Sequence, residues 1–252
     1  LGRLREFCTP KELREIRVPA PVVAFYHDIP GVIAYPFRGT GIGILLGGTI
    51  FLTGMGAIIR WSLFPWMVVI MVAGYLNSYY LDVAAASALG KEEPPDWPDF
   101  TNFFDSMLIP FLQFLAVTIM PIGLILFYLI ARGWDAGIFA AFAVAVAYVP
   151  MAWLALAVLR TVSNVFNPVF ILESIAKVLG EYLLVLLFLF VCQVAAGVLA
   201  FVLIPLLDYG GGVTGALQGF ALSLLQIYSW MVTMRVLGLL YRKNARRLNW
   251  LE

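Results

Sequence analysis

Stretches of about twenty apolar residues, the length a helix needs to cross the hydrocarbon core of a bilayer, alternate with shorter polar breaks along most of this chain. They fall at 40–59, 63–88, 107–131, 136–159, 181–205 and 213–238. The pattern predicts an all-α integral membrane bundle of six transmembrane helices. A mixed arm over 1–38 precedes a transmembrane domain over 39–240, and a basic tail follows over 241–252.

Charge gives the pattern a direction. An even number of spans puts both termini on one side. Thirteen of the sixteen Lys and Arg residues then share that side, and only Arg60, Arg132 and Arg235 do not. Cytoplasmic loops are the ones enriched in Lys and Arg, so both termini are expected in the cytoplasm. Five or seven spans would break this segregation.

The two long connections fall on the same side, and each leads into a span through a stretch with helical spacing. In the first, Phe100, Phe103, Phe104, Met107 and Leu108 oppose Asp99, Thr101, Asn102, Asp105 and Ser106. In the second, Ile171, Leu172, Ile175, Val178 and Leu179 oppose Glu173, Ser174 and Lys177, behind an Asn167-Pro168 helix start. Apolar residues at i, i+3 and i+4 predict two cytoplasmic interfacial amphipathic helices. The stretches align at an offset of 68, Phe104-Asp105-Ser106 on Leu172-Glu173-Ser174, which suggests two parallel copies of a span–surface helix–span unit. Between Lys91 and Asp99 lies an acidic, proline-rich loop, expected to be repelled by anionic lipid and to stand away from the surface. In the arm, Thr9-Pro10-Lys11-Glu12 predicts the start of a short helix reaching about Arg17.

Composition agrees with lipid as the solvent. The chain is 62% hydrophobic and 12% charged, against about 25% charged for a soluble domain. A net charge of +1 argues against a nucleic-acid partner. The opening is charged and lacks the apolar core of a signal peptide. The chain opens on Leu1 rather than Met, so residues upstream could carry a further domain.

Catalytic chemistry is sparse. His27 is the only histidine, and Cys8 and Cys192 have no zinc-ligand spacing. No metalloprotease, nucleophile-elbow or P-loop motif is present. The expectation is a protein that is not an enzyme and holds no cofactor or metal.

Three other patterns remain. Gly39, Gly43 and Gly47 recur every four residues where the first span begins, and Gly211, Gly215 and Gly219 where the last begins. Such ridges let helices approach closely in lipid, within the chain or against a partner. Asp82, Arg160 and Arg235 lie late in or just past spans two, four and six, all at the cytoplasmic end. They are expected either to form one interfacial charge cluster or to snorkel to water, with a transport site as the sharper reading. Asn77, Gln113, Gln193, Gln218 and Gln226 suit interhelical hydrogen bonds, or a polar path if several converge, and Pro121 and Pro150 should kink their helices.

Pro95-Asp96-Trp97 and Phe166-Asn167-Pro168 before the two surface stretches, with the ending Leu237-Gly238-Leu239-Leu240-Tyr241-Arg242, carry a resemblance. The chain resembles the domain of unknown function 4013 family of prokaryotic polytopic membrane proteins over roughly residues 35–250. The family implies a multi-span helical protein and supplies no catalytic residue. Together these readings lead to a multi-pass protein of the prokaryotic cytoplasmic (inner) membrane. Its expected role is an accessory or scaffold subunit in contact with lipids and with other subunits or copies of itself. A transporter or lipid-handling protein is the alternative.

Overall fold

The computed structural model describes residues 29–97, 104, 108–161, 165–207 and 213–250, and these are helical with connecting turns. A short α1 (Ile29–Ile33) and a 3-10 turn (Tyr35–Phe37) lead into α2 (Gly41–Trp61) and α3 (Pro65–Ala88). Then come α4 (Ile109–Arg132), α5 (Gly137–Leu159), α6 (Pro168–Lys177), α7 (Leu179–Leu207) and α8 (Val213–Leu248). Among the described residues, five helices (α3, α4, α5, α7 and α8) are long and apolar enough to cross a membrane. The 21-residue α2 contributes a shorter apolar helix over Gly41–Gly56. The arm helix expected after Thr9, the first amphipathic stretch apart from Phe104 and Leu108, and Gly211 lie outside the described residues.

Helix ends follow local chemistry. Pro65 and Pro168 open α3 and α6 in the first turn, where a missing N–H costs no hydrogen bond. Asn167 Oδ1 caps α6 by accepting from the N–H groups of Val169 (3.1 Å) and Phe170 (3.4 Å). Gly133 stops α4 at φ +75°, a conformation that favours glycine.

The core lies at one end of the bundle. Buried residues gather at the start of α2 (Ile44, Leu45, Thr49), the end of α3 (Leu76 to Ala88) and the end of α5 (Met151 to Val158). They continue at the start of α7 (Tyr182, Val185) and in the second half of α8 (Ile227 to Tyr241). Chain direction alternates between these helices, so all five contributions fall at the same packed end. The opposite halves are mostly exposed, including Leu63, Trp66, Phe127, Phe139 and Phe201. Here apolar side chains are left for lipid or another membrane protein.

The α3–α8 contact is the axis of the packed end. The Ala84-to-Ala88 run of small residues faces Gly238, and a Cβ there would meet backbone atoms of Ala84 and Ala88 and the Ser87 Cβ. α2 and α7 flank α8, while α4 and α5 pack on each other and on α3.

Moved by the offset of 68 residues, α3 falls on α5 and α4 on α7, within a few residues at the start of each helix. Burial follows the same pairing. The apolar windows of α3 and α5 are 56% and 50% buried, and those of α4 and α7 are each 11% buried. Equivalent helices of the suggested repeat are thus buried to similar extents.

Two expectations need correction. The acidic loop does not stand clear. It folds back so that Trp97 stacks on Tyr79 (ring centroids 5.1 Å) and Tyr75 (5.5 Å). Those rings lie about 14–20 Å back along α3 from Ala88, at 1.5 Å per residue. The indole also fills the space over Gly48, and Tyr35 Oη donates to the Glu93 carbonyl (3.3 Å). Burial of aromatic surface outweighs repulsion from lipid, and Pro94 and Pro95 lower the cost of non-helical backbone here by lacking N–H groups.

The basic tail is helical over most of its length. α8 continues to Leu248, and Asn249 at φ +52° turns the chain so that Trp250 Nε1 donates to Ser174 Oγ (3.0 Å). Trp250 also stacks on Tyr241 (5.2 Å). The same contact revises α6: Ser174 is buried with Ile171 and Ile175, whereas Leu172 and Leu179 are exposed. The buried face of α6 includes a serine because an indole N–H needs an acceptor there.

Candidate functional site

The charges singled out in the sequence lie at the packed end, where they separate into two arrangements. Asp82, on the last turns of α3, pairs with Arg160 just past α5. Arg160 has φ +52° and closes α5 through its N–H to Leu156 O (2.9 Å), which turns its side chain back toward α3. Both side chains are about a third exposed or less (26% and 36%).

Arg235 does not join them. It is 5% exposed on α8 and has no carboxylate partner within ion-pair distance among the described residues. Its Nη1 donates to Ser87 Oγ (3.3 Å) and to the Lys91 carbonyl. Ser87 in turn donates to Val83 O (2.6 Å), so one hydroxyl links the arginine to the α3 backbone. The guanidinium sits 4.5 Å over the Tyr35 ring. Burial pushes the Tyr35 phenol above its usual pKa range, so the ring is neutral at physiological pH. A single interfacial cluster of Asp82, Arg160 and Arg235 is therefore corrected to an ion pair and a separate, hydrogen-bonded arginine.

The Asp82–Arg160 pairing leads to a rescue prediction. A surface pair contributes about 0–1 kcal/mol and breaking a buried one costs about 3–5 kcal/mol, so the charge reversal Asp82→Arg should cost about 1–3 kcal/mol. Adding Arg160→Asp should recover most of that loss, and adding Arg235→Asp should recover none. Thermal unfolding of the purified variants reads all three. Equal failure of both double variants contradicts the pairing.

The glycine ridges do little packing inside the chain. Gly39 precedes α2 at φ +50° with the Glu93 carboxyl against it. Nothing lies within 4 Å of a Cβ built on Gly43, Gly47 or Gly215, and Gly219 meets only Thr53 Cγ2 at 3.6 Å. Gly41, Gly48, Gly90, Gly137 and Gly238, all outside the ridges, also meet close neighbours. A four-residue repeat shows which residues share a helix face but not what that face meets. The Ala84-to-Ala88 run was the available signal for Gly238.

Among the polar positions, Gln193 Oε1 accepts from Ser229 Oγ (3.3 Å), and Gln218 Nε2 donates to Ile204 O (3.2 Å). Both bonds join α7 to α8. Gln113 lies on α4, which packs on α3 and α5. Sequence reading missed the aromatic run through the packed end. Trp97, Tyr79, Tyr80, Trp230, Trp153 and Phe114 follow one another with centroids 5.0–6.0 Å apart. These rings come from four spans and one connecting segment, so no local pattern joins them. Among the described residues, no group of three His, Cys, Asp or Glu is placed to hold a metal ion. No protein-family model matches the chain, and no curated protein or solved structure matches it.

Proposed function

We propose that this chain is a six-span protein of the prokaryotic cytoplasmic membrane, with both termini inside, and serves as a non-catalytic accessory or scaffold subunit of a larger membrane assembly. α2 supplies the sixth span on this reading, because only an even number keeps the cationic residues on one side. α6 then lies at the inner interface. On the resemblance described above, we also place the chain in the domain of unknown function 4013 family.

One observation carries the functional reading. Only 11% of the apolar windows of α4 and α7, the two of highest hydropathy, is buried within the chain. On the same reading the open glycine faces of α2 and α8 lie toward lipid, where close approach by another helix is favourable. The absence of a catalytic motif from the sequence agrees with a structural role.

The test is extraction from native membranes in mild detergent or copolymer discs, followed by identification of stoichiometric companions. A second membrane protein, or a second copy, at fixed ratio is the expected result. A lone monomer overturns the proposal. The second reading is a transporter or lipid-handling protein, which the similar burial of α3 and α5, and of α4 and α7, favours. It requires movement of a substrate or lipid by the chain alone in proteoliposomes.

A further inference from the structure

A polar group that faces hydrocarbon has no water to satisfy it, so it is costly unless another protein group meets it. Two carboxamides of this chain are in that position. Gln193 lies fourteen residues from either end of α7, about 21 Å along the helix and so near mid-bilayer. It is exposed, on the span of highest hydropathy. Its Oε1 accepts from Ser229 Oγ (3.3 Å), which leaves the amide N–H groups without a partner among the described residues. Turning the amide over would leave the oxygen open instead, so one end is unmet in either orientation.

Gln226 sits three residues before Ser229 on α8, which puts the two on one helix face with Cβ atoms about 5–6 Å apart. It too is exposed, and it has no hydrogen-bond partner among the described residues. The Gln193–Ser229 bond therefore brings both amides to nearly the same depth. Gln218, eight residues earlier on α8, shows the contrast, because its Nε2 donates to Ile204 O (3.2 Å) within the chain. The polar seam between α7 and α8 is thus closed near Ile204 and open at mid-span.

Whatever meets these amides must offer donors and acceptors at that depth. A second copy does so by construction. About a two-fold axis along the membrane normal each glutamine reaches the depth of its own counterpart, and a carboxamide both gives and takes a hydrogen bond. Gly197, one turn past Gln193, is exposed with nothing within 4 Å of a Cβ built on it, so another backbone can approach closely beside the amides. Val194 and Val198 next to it are exposed and apolar. On the membrane-spanning reading above, we propose that Gln193, Gln226 and Gly197 form the centre of a self-association surface, on which a second copy of this chain packs its own α7 and α8.

Full-length protein with one fluorophore per chain is reconstituted into liposomes at graded protein-to-lipid ratios, and single-molecule photobleaching counts the chains in each spot. Wild type should form dimers. Gln193→Leu/Gln226→Leu should need about tenfold or more protein per lipid to reach the same dimer fraction, because at least two interhelical hydrogen bonds are lost. Gly197→Leu, where the chain itself leaves room, should weaken pairing without unfolding the protein. Gln218→Leu removes a bond inside the chain and should pair like wild type, which separates lost contact between copies from looser α7–α8 packing.

A parallel arm offers a water-soluble maleimide to Gln226→Cys in a Cys8→Ala/Cys192→Ala background, in opened membranes. No labelling is expected. Labelling would mean that water rather than a second copy meets the amides, as a transport path requires. The proposal is overturned by that labelling, by a wild type that stays monomeric, by pairing of Gln193→Leu/Gln226→Leu or Gly197→Leu at wild-type strength, or by an equal loss in Gln218→Leu. A wild type that is monomeric in liposomes yet keeps a different protein at fixed ratio from native membranes overturns self-association and leaves the accessory role standing.

Discussion

Replacing Gly238 with leucine is expected to remove nearly all folded protein, whereas the same change at Gly47 is expected to leave the fold intact. Both glycines sit inside helices, where Gly costs about 1 kcal/mol relative to Ala. Propensity alone would therefore make any larger residue stabilising at both sites. At Gly47 nothing opposes that gain. At Gly238 the new Cβ meets backbone of Ala84 and Ala88, and a backbone cannot rotate away as a side chain can. Overpacking a core costs about 1–3 kcal/mol, and occasionally more. Separating the α3–α8 axis belongs at or above the top of that range, so the clash outweighs propensity and even Gly238→Ala should destabilise. Fluorescence-detected size exclusion after heating measures the difference. Equal stability of Gly238→Leu and Gly47→Leu would place the axis elsewhere.

Trp97→Ala is expected to cost about 2–4 kcal/mol, toward the lower part of the range for removing a large aromatic, because the indole is only half-buried. The loss has two parts: ring contacts with Tyr75 and Tyr79, and the space left over Gly48. Trp97→Phe keeps a stacking face and should lose about 1 kcal/mol. Gly48→Ala should destabilise alone, since the Trp97 Cη2 lies 2.8 Å from the new Cβ. Combined with Trp97→Ala it should cost less than the two single changes together, because the same space is in dispute. Simple additivity in this thermal-unfolding cycle would show that the loop does not dock on α2.

The lengths and apolar character of the helices were legible from sequence because both are local properties. α3, α5 and α4 begin within about two residues of the expected boundaries, and the Asn167 cap forms as its side chain dictates. The Asp82–Arg160 pairing was within reach for a related reason: alternating topology already put both residues at one end. What was not legible depends on which faces meet. The glycine ridges are periodic on their own helices, yet the close contact uses Gly238, whose partner residues lie about 150 positions away. The loop after Lys91 reads as acidic and solvated by composition, but one indole outweighs its charges once Tyr75 and Tyr79 present a stacking surface. Arg235 looked like a member of the Asp82 cluster because depth in the membrane is readable and azimuth around the helix is not.

The functional reading stands on orientation: packed end and both termini inside, exposed end reaching the far side. The most direct test is cysteine accessibility in intact cells, using Cys192→Ala as background. Ser62→Cys and Trp134→Cys, in the two outer turns, should react with a membrane-impermeant maleimide from outside. Cys8 in the arm, and Glu92→Cys and Asn249→Cys at the packed end, should react only after the membrane is opened. Labelling of Glu92→Cys or Asn249→Cys from outside, or protection of Ser62→Cys, would contradict the six-span arrangement and the reading built on it.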